Sequence, residues 1–192
     1  MPGRPPPTAY CRRMTYPRWT YFPAESRPPD WVHPFISVVA AARSDIDTMT
    51  VDGLSSDDVL ACLRPGLVSL GYDIEAGKAK ADKILRPVLF GDEGKELVRY
   101  EVDGVHDDLG IIIEVEAGRG AQSNAVYRDL IRTSLIVGAR FLIIGVMQEY
   151  RSLNKGNVSR VHSYEDSLAQ LRAIYASRRL ALPFEGVLLF GY

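Results

Sequence analysis

Residues 111–116 read Ile-Ile-Ile-Glu-Val-Glu, an apolar run that ends in two carboxylates one residue apart. A short run rich in β-branched residues favours a strand, and a strand sends alternate side chains to opposite faces. Ile111, Ile113 and Val115 then share one face, and Ile112, Glu114 and Glu116 share the other. The two glutamates fall about 6–7 Å apart, at a rise of roughly 3.3 Å per residue. A chain that folds around this strand has to supply its carboxylates with water or with positive charge, because buried like charges are costly.

The flanking sequence turns the strand into a pattern. Residues 83–90 and 96–106 read as two further strands, joined by the turn Gly-Asp-Glu-Gly at 91–94. The turn Asp-Asp-Leu-Gly at 107–110 leads into 111–116 with glycine in its fourth place. Centring that turn on Asp108–Leu109 places Asp103 opposite Glu114, with Cβ atoms about 5 Å apart. Alternatively Asp103-Gly104 is itself a turn. Glu114 and Glu116 then line a solvent-facing edge, and 105–110 becomes a loop without a purpose. After a glycine loop, 124–138 reads as a helix with a wide apolar face. The unbroken apolar run 140–147 reads as a strand buried on both faces. A helix over 164–179 and a strand over 184–192 follow. Upstream, a helix is expected from Phe35 to Ala42. A second is opened by a capping box of Ser55 and Asp58, kinked or split at Pro65-Gly66 and ended at Gly71. The order predicts a mixed α/β (α+β) sheet with a three-strand meander and helices on both sides.

Composition narrows the classes. The 192 residues, 46% hydrophobic and 24% charged, suit one globular domain. No apolar run approaches the roughly 20 residues of a membrane helix, and the arginine-bearing N-terminus lacks the apolar segment of a secretory leader. Cys11 and Cys62 cannot make a disulfide framework and fit a reducing cytoplasm. Residues 1–33 read as a Pro/Arg-rich arm before a domain at 34–192. In that arm Tyr10, Tyr16, Trp19 and Tyr21 alternate with Arg12, Arg13 and Arg18, a mixture that either stacks on bases or packs on the domain. Residues 51–150 carry eleven Lys/Arg against seventeen Asp/Glu, whereas both flanks are basic. The imbalance is either an acidic site framed by phosphate-binding flanks or a set of solvated faces.

Three carboxylates in one patch are the donors that Mg²⁺ or Mn²⁺ takes, with positions left open for phosphate and water. Strand, glycine loop and helix also approximate a dinucleotide fingerprint through Gly118, Gly120 and Ser123. There, however, Glu114 and Glu116 would face a pyrophosphate with negative charge. His106, a lone histidine in the hairpin, is given no catalytic role.

Helix, meander, helix and strand, with Asp103 on the second strand and Glu114-Val115-Glu116 on the third, resemble the PD-(D/E)XK nuclease superfamily. More narrowly, residues 100–131, YEVDGVHDDLGIIIEVEAGRGAQSNAVYRDLI, resemble type II restriction endonucleases that carry Glu-x-Glu in place of Glu-x-Lys. The resemblance covers roughly residues 55–150. It implies a restriction-endonuclease-like fold and Mg²⁺- or Mn²⁺-dependent hydrolysis of double-stranded DNA. Asp103, Glu114 and the Val115 carbonyl would be the metal ligands, and Asp103, Glu114 and Glu116 the catalytic set. Glu116 stands at the lysine position, where it would orient or deprotonate water or assist a second metal, and Val102 stands where the motif has proline. Resemblance to enzymes that cut palindromes also implies a homodimer. Arg119 in the glycine loop is then a phosphate contact or a plain loop arginine. Asn124 is a DNA contact or a helix N-cap. Arg128 and Arg132, on one helix face with Asn124, form a DNA-facing stripe or a solvated one. With glutamate at the lysine position, a nuclease-like protein that only binds DNA or a partner is the alternative.

Overall fold

The computed structural model describes residues 15–117, 124–154 and 157–192. In chain order the elements are β1 (Arg18–Phe22), α1 (Val32–Ala41), α2 (Arg43–Ile46), α3 (Ser56–Ser69), β2 (Asp73–Ile74), β3 (Ile84–Phe90), β4 (Glu96–Val102), β5 (Gly104–His106), β6 (Ile111–Glu116), α4 (Ala125–Ser134), β7 (Phe141–Val146), β8 (Tyr150–Asn154), β9 (Asn157–Val161), α5 (Ser163–Ser177) and β10 (Gly186–Gly191). Six strands form one mixed sheet in the order β1-β10-β7-β6-β5-β2. β10, β7 and β6 run parallel, and β1, β5 and β2 pair antiparallel at the two sides. No helix among the described residues is long and apolar enough to cross a membrane.

The alternation of residues 111–116 sets the two layers. Ile111, Ile113 and Val115 pack with Phe35 and Val39 of α1 and with Leu60, Leu63 and Leu67 of α3. Ile112 turns to the opposite face, where Val126 and Leu130 of α4 and Leu168 and Leu171 of α5 close the second core. β7, sandwiched between β6 and β10, is buried along its whole length, as its unbroken apolar run required. Gly145 in β7 is needed for space. A Cβ there would lie 2.4 Å from the ring of Phe190, itself fully buried. Gly145→Ala is therefore expected to cost about 2–3 kcal/mol, read as a lower midpoint in urea unfolding.

Several local expectations hold. Ser55 accepts from the Asp58 N–H at 3.2 Å while the Asp58 carboxylate accepts from the Ser55 N–H at 2.9 Å, which is the capping box. The β5–β6 register pairs Gly104 with Ile113 and His106 with Ile111, as a turn at 107–110 requires. Gly110, at φ +65°, closes that turn by donating to the Asp107 carbonyl. His106 packs edge-on against Tyr72, 4.9 Å between ring centroids.

Others are corrected. The segment 96–106 is two strands, because the chain leaves the sheet at Asp103. β3 and β4 form a separate two-stranded hairpin, and only β5 joins β6. The meander is thus interrupted at the residue that bears the first carboxylate. Pro65 does not split α3, which continues through it. Pro65 is exposed, so the bond it cannot donate is missing on the wet side, while Leu63 and Leu67 hold both turns to one core. Part of the N-terminal arm belongs to the sheet: residues 18–22 are its edge strand β1, paired with β10. Tyr16, Trp19 and Tyr21 pack on the core, and Arg18 pairs with Glu165 at 2.6 Å over the Tyr164 ring. Those side chains are engaged by the protein itself, while Tyr10, Arg12 and Arg13 lie outside the described residues. The hairpin β8–β9 was not anticipated. It is moored through buried Glu149, which pairs with Arg151 and Arg160.

Candidate functional site

At Asp103 the chain turns out of the sheet and leaves the edge of β6 without a neighbouring strand. The Asp103 N–H still donates to the Ile113 carbonyl at 3.2 Å. One residue pair further on, the Asp103 carboxylate takes over the role of a backbone acceptor. Its Oδ2 receives the Val115 N–H at 2.6 Å. An extended residue presents its N–H and C=O to the same edge, so the Val115 carbonyl faces this position too. Asp103 is thereby fixed beside Glu114, with its second carboxylate oxygen free of that bond.

The pair opens into a cleft of about 270 Å³ whose floor is Asp103, Glu114, Val115 and Glu116. Glu75, Lys83 and Glu101 line it as well, together with Arg128 and Arg132 from α4. Behind the floor stands Asp129 of α4, fully buried, with one carboxylate oxygen lacking any hydrogen-bond partner among the described residues. Arg128 bridges two of the acids, donating to Glu116 and, at 3.0 Å, to Asp129. Arg132 donates to the Glu101 carbonyl at 3.1 Å and lies over the Tyr100 ring.

Electrostatics follow from this crowding. Burial is the largest cause in every case, and neighbouring acids add to it at Asp103, Glu114 and Glu116. Asp103 is pushed up to about 6, with Glu75 and Asp129 contributing. Glu114, 7% exposed, is raised well above the usual carboxylate range by burial and then by Asp103 and Asp129. Glu116 rises to about 7 although Arg128 opposes the shift. Asp129 is raised as well, its pairing with Arg128 failing to offset desolvation. Such a cluster binds protons, or a cation, more tightly than separate carboxylates would.

The residues read from sequence are therefore brought together in part. Asp103, Glu114, Val115 and Glu116 share one cleft, and Arg128 stands at its wall. Arg128 spends its charge on Glu116 and Asp129, so it is a site component before it is a phosphate contact. Asn124 occupies the N-cap of α4 with φ +60° and makes no side-chain cap bond. Arg119 lies outside the described residues. Glu75, Lys83 and Asp129 were missed. For Asp129 a signal existed: it falls on the buried face of α4 with Val126, Leu130 and Thr133, where a carboxylate is out of place. Glu75 and Lys83 sit in short irregular segments that carry no period.

Arg128 also makes the cluster testable as a folded object. Arg128→Met removes the cation shared by Glu116 and Asp129. It is expected to cost about 2 kcal/mol at pH 8, since the arginine is half-exposed. The loss should shrink near pH 5, where Glu116, raised to about 7, takes up a proton. Urea unfolding at the two pH values checks this.

No protein-family model, curated protein or solved structure matches this chain. Among the described residues no three His, Cys, Asp or Glu side chains are already drawn into a metal cage. The donor set nevertheless suits a hard divalent ion: carboxylate oxygens, one backbone carbonyl and a net negative charge.

Proposed function

We propose that this chain is a Mg²⁺- or Mn²⁺-dependent endonuclease that hydrolyses phosphodiester bonds in double-stranded DNA. The observation that carries the reading is the junction at Asp103, where its carboxylate caps the backbone of Val115 and stands beside Glu114 at the mouth of a cleft. The order α3, β2 to β6, α4, β7, with β5 antiparallel and β7 parallel to β6, supports a restriction-endonuclease-like core.

Asp103, Glu114 and the Val115 carbonyl would hold the ion. Once bound, the ion would polarise the phosphate and lower the pKa of water. Glu116, raised to about 7, is poised to accept a proton from the attacking water at neutral pH. Asp129 keeps Arg128 in place, and Arg128 orients Glu116. Burial of Glu114 beneath α4 keeps bulk water from competing for the cation.

Incubating the protein with long duplex DNAs in Mg²⁺, Mn²⁺ or EDTA tests this. Discrete fragments that require metal are expected. Binding without cutting in any divalent ion would favour the second reading, a DNA-binding protein on a nuclease-like frame. The salt link between Glu116 and Arg128 is what speaks for that alternative, because it occupies the acid at the motif's third position.

A further inference from the structure

Among the described residues three cations line the cleft, Lys83, Arg128 and Arg132, and their engagements differ. Arg128 is held by Glu116 and Asp129, and Arg132 by the Glu101 carbonyl and the Tyr100 ring. Lys83, at the foot of the β3–β4 hairpin, pairs with Glu75. Glu75 is 4% exposed, and its backbone N–H donates to the Asp103 carbonyl at 2.9 Å. Arg64 binds the Glu75 carbonyl from α3. The Lys83–Glu75 pair is thus fastened to the backbone of the same residue that opens the site.

We propose that Lys83 is the cation that meets the scissile phosphate, presented by Glu75 as its positioning residue. This rests on the nuclease reading and answers a need that reading leaves open. Phosphoryl transfer places growing negative charge on the non-bridging oxygens, while Glu116 offers that charge nothing. An ammonium has three donors, and the hydrogen bond to Glu75 uses one. Two remain for a phosphate oxygen. The arginines keep N–H donors too, but Arg128 is shared between two carboxylates and Arg132 is turned to the Glu101 carbonyl and the Tyr100 ring, whereas Lys83 is tied through Glu75 to the Asp103 backbone. Lys83 keeps its proton throughout: water gives one proton to Glu116 and attacks phosphorus, the P–O bond to the leaving oxygen breaks, that oxygen takes a proton from solvent water, and Lys83 stabilises charge alone. Its short-range partner Glu75 fixes the ammonium near Asp103 without neutralising every face of it.

The test compares wild type, Lys83→Met, Lys83→Arg and the double variant Glu75→Gln/Lys83→Met. The double variant is included because methionine alone would leave the buried Glu75 carboxylate unpaired. Three quantities are read: single-turnover cleavage in Mg²⁺, duplex affinity in Ca²⁺, and Mn²⁺ affinity without DNA. Lys83→Met and the double variant are expected to cleave about 10²–10³-fold more slowly. Their Mn²⁺ affinity should stay within about threefold of wild type, their duplex affinity should fall less than their rate, and Lys83→Arg should recover part of the rate. Cleavage by both methionine variants at the wild-type rate would overturn the role of Lys83 and leave the nuclease reading standing. An equal loss of Mn²⁺ affinity and rate would overturn it too, making the pair structural. A folded wild type that cuts no DNA in any divalent ion would overturn the nuclease reading, and the role of Lys83 with it.

Discussion

Glu114→Gln is expected to lose DNA cleavage by at least about a thousandfold and, without metal at pH 8, to melt at a higher temperature than the parent. The two effects share one cause. Glu114 is buried beside Asp103, near Asp129, and burial holds its carboxyl far above the ordinary range. Burying a carboxyl that ionises freely in the unfolded chain costs stability at pH 8, and glutamine removes that cost with little change of shape. The same charge is what the proposed ion needs, so its removal takes away a metal ligand. Each 1 kcal/mol gained would raise Tm by roughly 2–4 °C in a chain of this size. A structural carboxylate would behave in the opposite way, since its loss would break a pairing and lower Tm. Calorimetry beside a cleavage assay separates the two.

The second large effect is on pH. Asp103 at about 6 and Glu116 at about 7 lie above their ordinary values, and Glu114 and Asp129 are displaced in the same direction. The folded protein therefore binds protons more tightly than the unfolded chain. The stabilisation this provides is complete below about pH 4 and is lost as pH rises through 6 and 7. For Asp103 alone, a rise from 3.8 to about 6 amounts to something on the order of 3 kcal/mol. Asp58, Glu149 and Glu185 are displaced downward, so their contribution disappears only in acid and stays flat across this window. Metal-free protein is expected to be less stable at pH 8 than at pH 5.5. Mg²⁺ or Mn²⁺ should raise Tm strongly at pH 8 and weakly at pH 5.5, because protons and metal compete for the same oxygens. A Tm that rises with pH and ignores divalent ions would mean that these carboxylates do not act as one cluster.

What was legible in the sequence was whatever a period or a turn specifies. Alternation assigned the two faces of β6, the Asp-Asp-Leu-Gly turn set the register that places Asp103 by Glu114, and an unbroken apolar run identified β7 as central. What was hidden depends on partners distant in the chain. β1 alternates Trp19 and Tyr21 with Arg18 and Thr20, but its five residues lie between prolines in a Pro/Arg-rich segment, and they become a strand because β10 offers them an edge. The departure of the chain at Asp103 reflects a carboxylate replacing a strand as the partner of Val115, which no spacing rule contains. Lys83 and Glu75 meet across eight residues of irregular backbone, so only the folded chain brings them to the cleft. Asp129 was the avoidable omission: an acid on the buried face of an amphipathic helix is visible in the residues themselves.

The measurement that bears most directly on the proposed chemistry is cleavage of one long duplex DNA by wild type and Asp103→Asn in parallel, each with Mg²⁺ and with EDTA. Asparagine can still accept the Val115 N–H, so the fold should persist while the charge is lost. Discrete fragments from wild type with Mg²⁺, and none in the other three reactions, are predicted. Fragments of equal yield from folded Asp103→Asn, or from wild type in EDTA, would contradict a metal-dependent nuclease centred on this cleft.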